Sequence, residues 1–231
     1  MAALPRWRRA LGELVGTALL TAAVAGSGIA AQTLSPHDAG LRLAENAAAT
    51  GLALYVAIRV LAPVSGAHLN PIVTLVDVVL GGRRWRDALL YVPAQVGGGI
   101  LGVIAADTMF ARPPVSISGI DRLSGPHLLA EVIATAGLVL AIFGLARTGR
   151  SRHVAGVVAA YIAAAYFFTS STSFANPAVT LARTFTDGTT GIAPGSALGF
   201  ALAQVVGGAI GLALVRVLFP RPATAASSRQ S

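Results

Sequence analysis

The chain has 231 residues, of which 55% are hydrophobic and only 11% are charged, and its mean hydropathy is +0.72. Soluble domains carry charge on roughly a quarter of their residues, so this composition excludes an ordinary water-soluble protein. The formal net charge is +8, but the arginines sit in the breaks between apolar stretches and form no single patch, which argues against nucleic-acid binding. Cysteine is absent, which excludes disulfides and thiolate metal sites.

Six apolar stretches approach the ~20 residues that a bilayer-spanning helix needs. We therefore predict an all-α membrane protein with spans at residues 11–31, 41–62, 86–107, 126–147, 151–170 and 194–219. The first stretch is long and lacks a clear cleavage site, so we interpret it as a retained span and not as a signal peptide. Residues 220–231 are small and polar, and we expect them to be disordered.

The arginines divide unequally between the two sides of these spans. One side holds Arg6, Arg8, Arg9, Arg83, Arg84, Arg86, Arg147, Arg150, Arg152, Arg221 and Arg229, and the other holds Arg42, Arg112, Arg122 and Arg183. Cytoplasmic loops carry the excess of basic residues, so both termini are predicted to be cytoplasmic, in the inner (plasma) membrane of the cell.

Three sequence blocks recur in the same order in the two halves of the chain. GELVGTAL at 12–19 matches AEVIATAGL at 130–138, LNPIVTL at 69–75 matches ANPAVTL at 175–181, and AQVGGGILG at 94–102 matches AQVVGGAIG at 203–211. We therefore predict a single domain, 1–231, with repeats at 11–107 and 126–219. Each repeat has three spans, so the second is inverted in the membrane, as is typical of transport proteins.

Each repeat also contains a short Asn-Pro segment outside its spans. Asparagine is a favoured N-cap and proline is favoured at the first helical position, so each segment is predicted to begin a helix. About ten residues cover only half of a ~30 Å hydrocarbon core, so two such helices entering from opposite sides would meet at its middle. The asparagine amide N–H groups would donate to the oxygen of a neutral solute, and the positive ends of the helices would repel cations. The residues are Asn70, Pro71, Ile72, Asn176, Pro177 and Ala178.

These motifs resemble those of the aquaporin and aquaglyceroporin family over nearly the whole chain. SGAHLNPIVTL at 65–75 is similar to the first family signature, with Ile72 where alanine is usual. FANPAVTLAR at 174–183 is similar to the second, but Val179 stands where an arginine is usual, as in a bacterial branch associated with arsenic resistance. The resemblance implies a right-handed six-helix bundle with two re-entrant half-helices, and a homotetramer with one pore per subunit.

The resemblance also assigns a selectivity constriction. Matched without gaps, its four positions are Thr50, Ala164, Ser173 and Val179. These residues imply a wide opening with no fixed charge, suited to solutes larger than water. One alternative is that Arg183, four residues beyond Val179, reaches back and restores a charged filter. We favour Arg183 in the outer vestibule or paired with Asp187, and the equivalent Asp77 at an acidic inner mouth.

Three further residues have two interpretations each. Glu13 and Glu131 occupy equivalent places in spans one and four, where a carboxylate is costly and often functional. They could form a proton relay, or they could brace backbone N–H groups of the re-entrant loops, which the resemblance favours. His68 could line the inner pore and respond to pH, or it could anchor its loop.

The predicted function is a passive channel for glycerol-like polyols, neutral metalloid acids such as arsenous acid, and water. The alternatives are a water-selective aquaporin and, in another class, an ion-coupled secondary transporter. No catalytic constellation and no metal-ligand cluster is visible, so an enzyme, a cofactor and a metal are not expected. The expected partners are membrane lipid, small neutral solutes and further copies of the chain, without nucleic acid.

Overall fold

A computed structural model describes residues 4–220, and apart from Pro220 the tail predicted to be disordered lies outside them. Six helices are long and apolar enough to cross a membrane, and two shorter helices lie between them. The helices are α1 (Arg6–Leu34), α2 (Ala39–Ser65), α3 (Pro71–Val79), α4 (Trp85–Met109), α5 (Gly125–Arg147), α6 (Val154–Phe168), α7 (Pro177–Ala182) and α8 (Pro194–Leu218). A 3-10 turn at Ser151–His153 precedes α6, and together they form the fifth span. The predicted fold class, with six spans and two half-helices, is confirmed.

The packing repeats between the two halves. Helix α1 packs along α4 as α5 packs along α8, and α1 contacts α2 as α5 contacts α6. Glycines make this close approach possible, since a Cβ on Gly98 would lie 2.1 Å from the Leu14 carbonyl oxygen. A Cβ on Gly207 would likewise lie 2.5 Å from the Val132 carbonyl oxygen of α5. In lipid, such small residues let helix backbones approach closely and gain van der Waals contact.

The surface of the bundle is apolar along its length. Leu52, Val60, Leu101, Leu202 and Val217 each expose more than half of their surface. An apolar surface of this extent would be unstable in water but matches the hydrocarbon of a bilayer. Together with the six spans, it makes this chain an integral membrane protein.

The two short helices begin at their Asn-Pro pairs and fill the interior between the spans. Asn70 and Asn176 are the N-caps, and a proline follows each at the first helical position. The nine residues of α3 are about 14 Å long, roughly half of the hydrocarbon core. Ile72 stands where the first family signature usually has alanine. Its larger side chain fits because its Cγ2 packs against Gly208 of α8, which has no side chain.

Candidate functional site

The two half-helices are joined by a reciprocal exchange between their cap residues. The Asn70 side-chain amide donates to the Ala175 carbonyl oxygen at 2.7 Å, and the Asn176 amide donates to the Leu69 carbonyl oxygen at 2.7 Å. Each side-chain oxygen accepts from its own helix, Asn70 from Ile72 N and Asn176 from Ala178 N. One N–H of each side-chain amide is thereby used and the second is left for the cavity that both residues line.

Buried carboxylates hold the loops that precede these caps. Glu13 accepts from the backbone N–H of His68 at 3.0 Å and of Leu69 at 2.6 Å, and Glu131 accepts from Phe174 and Ala175 at 2.9 and 2.8 Å. Both carboxylates are fully buried. These contacts support the bracing interpretation, because buried backbone N–H groups need acceptors where no water reaches them.

A second layer of polar side chains completes each brace. Gln95 donates to Glu13 and to Thr74, and Gln204 donates to Glu131 and to Thr180. Each threonine hydroxyl in turn donates to the carbonyl oxygen of its cap asparagine. We did not predict the threonines, although the repeated NPxVT pattern was a usable signal.

The braced loops have strained backbones at equivalent places. Gly66, Ala67 and Leu69 have positive φ angles of 95°, 50° and 53°, and Thr172, Ser173 and Ala175 have 62°, 52° and 47°. Such conformations cost on the order of 1–3 kcal/mol each for residues other than glycine. They persist when surrounding contacts determine them, and the paired glutamates supply such contacts here.

A cavity of about 780 Å³, including space open to solvent, runs beside the two caps. The lining of this central cavity includes the aliphatic side chains of Leu20, Val24, Leu54, Ile58, Val158 and Ile162. It also includes the polar side chains of Thr50, His68, Asn70, Ser173, Asn176 and Arg183. The Ser173 hydroxyl is buried and has no hydrogen-bond partner among the described residues. A solute that carries both hydroxyls and carbons matches this mixed lining.

Three of the four predicted constriction residues line the central cavity, and one does not. Thr50, Ser173 and Val179 are buried in its wall. Ala164 was a wrong prediction, because it lies exposed on α6 and contacts neither cavity. The buried face of α6 carries Tyr166 instead, whose hydroxyl lies 3.1 Å from the Thr50 hydroxyl.

Arg183 lies between the central cavity and a second cavity at the opposite end of the bundle from the arginine-rich N-terminus. Only 3% of its surface is exposed, and its guanidinium lies over the Phe174 ring, 3.4 Å from the ring centre. The expectation of a path without fixed charge is therefore corrected, since Arg183, together with Tyr166, lines both cavities. Pairing with Asp187 was also wrong, because Arg183 donates to the Thr190 carbonyl oxygen and forms no ion pair among the described residues.

The inner mouth differs from the acidic one that we expected. Asp77 lies 3.3 Å from His68 Nε2 and 3.7 Å from Arg83 Nε, so its charge is compensated. His68 lines the central cavity and its Nδ1 lies 3.1 Å from the Thr74 hydroxyl, so it is anchored as well as exposed to the pore.

These features together define a membrane channel. They are the six spans, the two half-helices that meet at paired asparagines, and the two cavities that adjoin at Tyr166 and Arg183. The sequence matches the major intrinsic protein family over residues 1–173, and the chain belongs to that family. It is 47% identical over 211 residues to aquaglyceroporin AqpS of Rhizobium meliloti, covering 91% of this chain and 90% of that protein. A glycerol uptake facilitator protein of Streptococcus pneumoniae is 31% identical over 58% of this chain and 62% of its own length.

The fold is also that of a solved channel structure. The aquaglyceroporin from Plasmodium falciparum superimposes with a TM-score of 0.72, covering 94% of this chain and 98% of that one at 22% identity. Since this family consists of channels, the prediction that the chain is not an enzyme is confirmed.

Proposed function

We propose that the chain is a passive channel for small uncharged solutes, namely water, glycerol-like polyols and neutral metalloid acids such as arsenous acid. The observation that carries the proposal is the mixed polar and aliphatic lining of the central cavity. Polyols carry both hydroxyls and carbons, and the cavity offers Asn70, Asn176 and Thr50 together with aliphatic side chains. The names of the bacterial relatives, an aquaglyceroporin and a glycerol uptake facilitator, support this solute class.

Charge discrimination is proposed to come from two places along the path. The N-terminal ends of α3 and α7 meet at the caps, and Arg183 adds a full positive charge at the outer end of the central cavity. Both oppose cations, while a neutral solute meets only donors and acceptors. We further propose that Thr50, Tyr166, Ser173 and Val179 form the narrow region, with Arg183 at its outer edge.

Two features of the assembly remain proposals. We propose a homotetramer in the plasma membrane with both termini in the cytoplasm. Arg9 donates to Asp87 at 2.8 Å, and Arg147 donates to the Phe219 carbonyl oxygen, so arginines gather at the end of the bundle that holds the termini. This asymmetry supports the orientation, which protease access to a terminal tag in sealed vesicles would test.

Val179→Arg is expected to lower glycerol and arsenous acid flux at least roughly tenfold while water flux persists, because a second guanidinium would fill the narrow region. Val179→Ile, which adds volume without charge, is the matched control and should retain most of the flux. Light scattering from proteoliposomes measures all three solutes, and retained water flux shows that the variant folds.

Three results would contradict the proposal. Water flux without solute flux in the native protein would favour the water-selective alternative. Uphill uptake that collapses when an ionophore dissipates the ion gradient would favour a secondary transporter. Equal solute flux in the native protein and in Val179→Arg would place the narrow region elsewhere.

A further inference from the structure

The outer cavity, the second cavity described above, is surrounded by arginines from three parts of the chain. It has a volume of about 620 Å³, including space open to solvent. Arg42 projects from α2, Arg122 from the segment before α5, and Arg183 from the turn that follows α7. Neither an aspartate nor a glutamate is among the described residues that line it.

None of these three arginines forms an ion pair within the described part of the chain. Arg42 donates to the carbonyl oxygens of residues 35 and 36, and Arg122 donates to those of residues 189 and 191. Arg183 donates through its Nε to the Thr190 carbonyl oxygen. A guanidinium has five N–H donors, so most of the donors around the cavity have no acceptor among residues 4–220.

The acidic residues on the same side of the membrane have other partners. Asp107 lies 3.7 Å from Arg112 and accepts from Thr186, and Asp121 accepts from Ser196. Glu45 accepts from Ser35, Asp38 caps α2, and Asp187 accepts from the backbone N–H of Gly119. In the described part of the chain, none of these carboxylates lines the outer cavity or forms an ion pair with its three arginines.

Two of the guanidinium groups are held against one ring. Arg183 lies 3.4 Å and Arg122 lies 5.5 Å from the centre of the Phe174 ring, and the two positive charges repel each other. Burial lowers the pKa of Arg122 below its usual range, with the charge of Glu131 acting in the opposite direction. An anion between these groups would remove the repulsion and accept from their free donors.

We propose that the outer cavity binds a small inorganic oxyanion of the phosphate type, and that the bound anion obstructs the solute path. Oxyanions accept paired N–H donors from guanidinium groups, a geometry that chloride does not offer. We assign a free anion and not a lipid headgroup as the occupant. The reason is that the cavity lies inside the bundle, beside Tyr166, which also lines the central cavity. Obstruction rests on the proposed channel function, whereas binding does not.

Binding is tested with inorganic phosphate on the purified full-length protein in a sugar-headed detergent, which contains no phosphate. Phosphate should raise the unfolding midpoint above that in chloride of equal ionic strength. The rise should disappear in Arg42→Gln and in Arg122→Gln, and persist in Arg86→Gln, an exposed arginine at the other end of the bundle. A rise that survives both cavity variants, or no rise in the native protein, would overturn the proposal.

Obstruction is tested in proteoliposomes with phosphate on both sides of the membrane. Millimolar phosphate should slow glycerol flux in the native protein, and Arg122→Gln should raise the half-inhibitory concentration roughly tenfold. Vesicles with and without an anionic lipid distinguish a free anion from a headgroup, and slowing by the lipid alone would contradict our assignment. If the unfolding midpoint responds but no glycerol flux exists at all, the channel proposal fails while the anion site stands.

Discussion

Glu131→Gln is expected to abolish solute flux and to lower the free energy of unfolding by about 3–5 kcal/mol. Glu131 accepts four hydrogen bonds, two from backbone N–H groups, one from Gln204 and one from the Ser171 hydroxyl at 2.6 Å. A glutamine side chain turns one of its two acceptors into a donor, which then faces another donor. The strained loop at 172–175 loses the contact that holds its positive φ angles.

The matched control is Glu45→Gln, since Glu45 accepts only from the Ser35 hydroxyl and its second oxygen has no partner in the described structure. It should change the free energy of unfolding by less than about 1 kcal/mol. Unfolding midpoints, protease sensitivity of the second loop and flux in proteoliposomes measure the effect. Native stability and flux in Glu131→Gln would refute the bracing role. Glu13→Gln should also lower the free energy of unfolding and the flux, because Glu13 accepts from two backbone N–H groups and Gln95 in the first repeat.

Gly102→Ala is expected to lower the free energy of unfolding by about 3 kcal/mol or more. A Cβ there would lie 2.1 Å from the Ala18 carbonyl oxygen and 2.2 Å from the Thr21 hydroxyl. Backbone cannot rotate away as a side chain can, so α1 and α4 must separate. Thr21 also donates to the Gly99 carbonyl oxygen across the same interface, and this bond would be lost.

Gly97→Ala provides the control on the same helix, because nothing lies within 4 Å of a Cβ at Gly97. It should be neutral, or stabilising by up to about 1 kcal/mol through the helix propensity of alanine. Unfolding of both variants in a mixed-micelle titration, followed by circular dichroism, gives the comparison. Equal midpoints for the two variants would show that α1 and α4 do not approach as closely as described.

The sequence predicted those parts of the site that occur twice. The Asn-Pro pairs at Asn70 and Asn176 predicted the two half-helices. The paired glutamates occupy equivalent positions in the two repeats of the sequence. Repetition made these signals stronger than any one motif, since a structural requirement at one position was visible again in the other repeat. The Gly98 and Gly207 contacts follow the repeated AQV block in the same way.

The predictions that were wrong concern side chains whose positions depend on helix register and on tertiary contacts. Helix α6 is apolar on all sides, so its sequence does not indicate which face meets the pore, and a gapless match selected Ala164 instead of Tyr166. The α7 helix ends in a 3-10 turn at Arg183–Phe185, and the Arg183 guanidinium folds onto Phe174. No local pattern predicts that stacking, because Phe174 precedes the half-helix and Arg183 follows it.

The reciprocal caps impose an order on biosynthesis. Glu13 is synthesised before the loop that it braces, and Glu131 before its own, so each repeat can fold its loop as it leaves the ribosome. The side-chain amide of Asn70, however, donates to the carbonyl oxygen of Ala175, and the carbonyl oxygen of Leu69 accepts from Asn176. Both of these partners lie in the second repeat. The first half-helix therefore completes its hydrogen bonds only after about a hundred more residues have entered the membrane, and until then water or the translocation machinery must satisfy it.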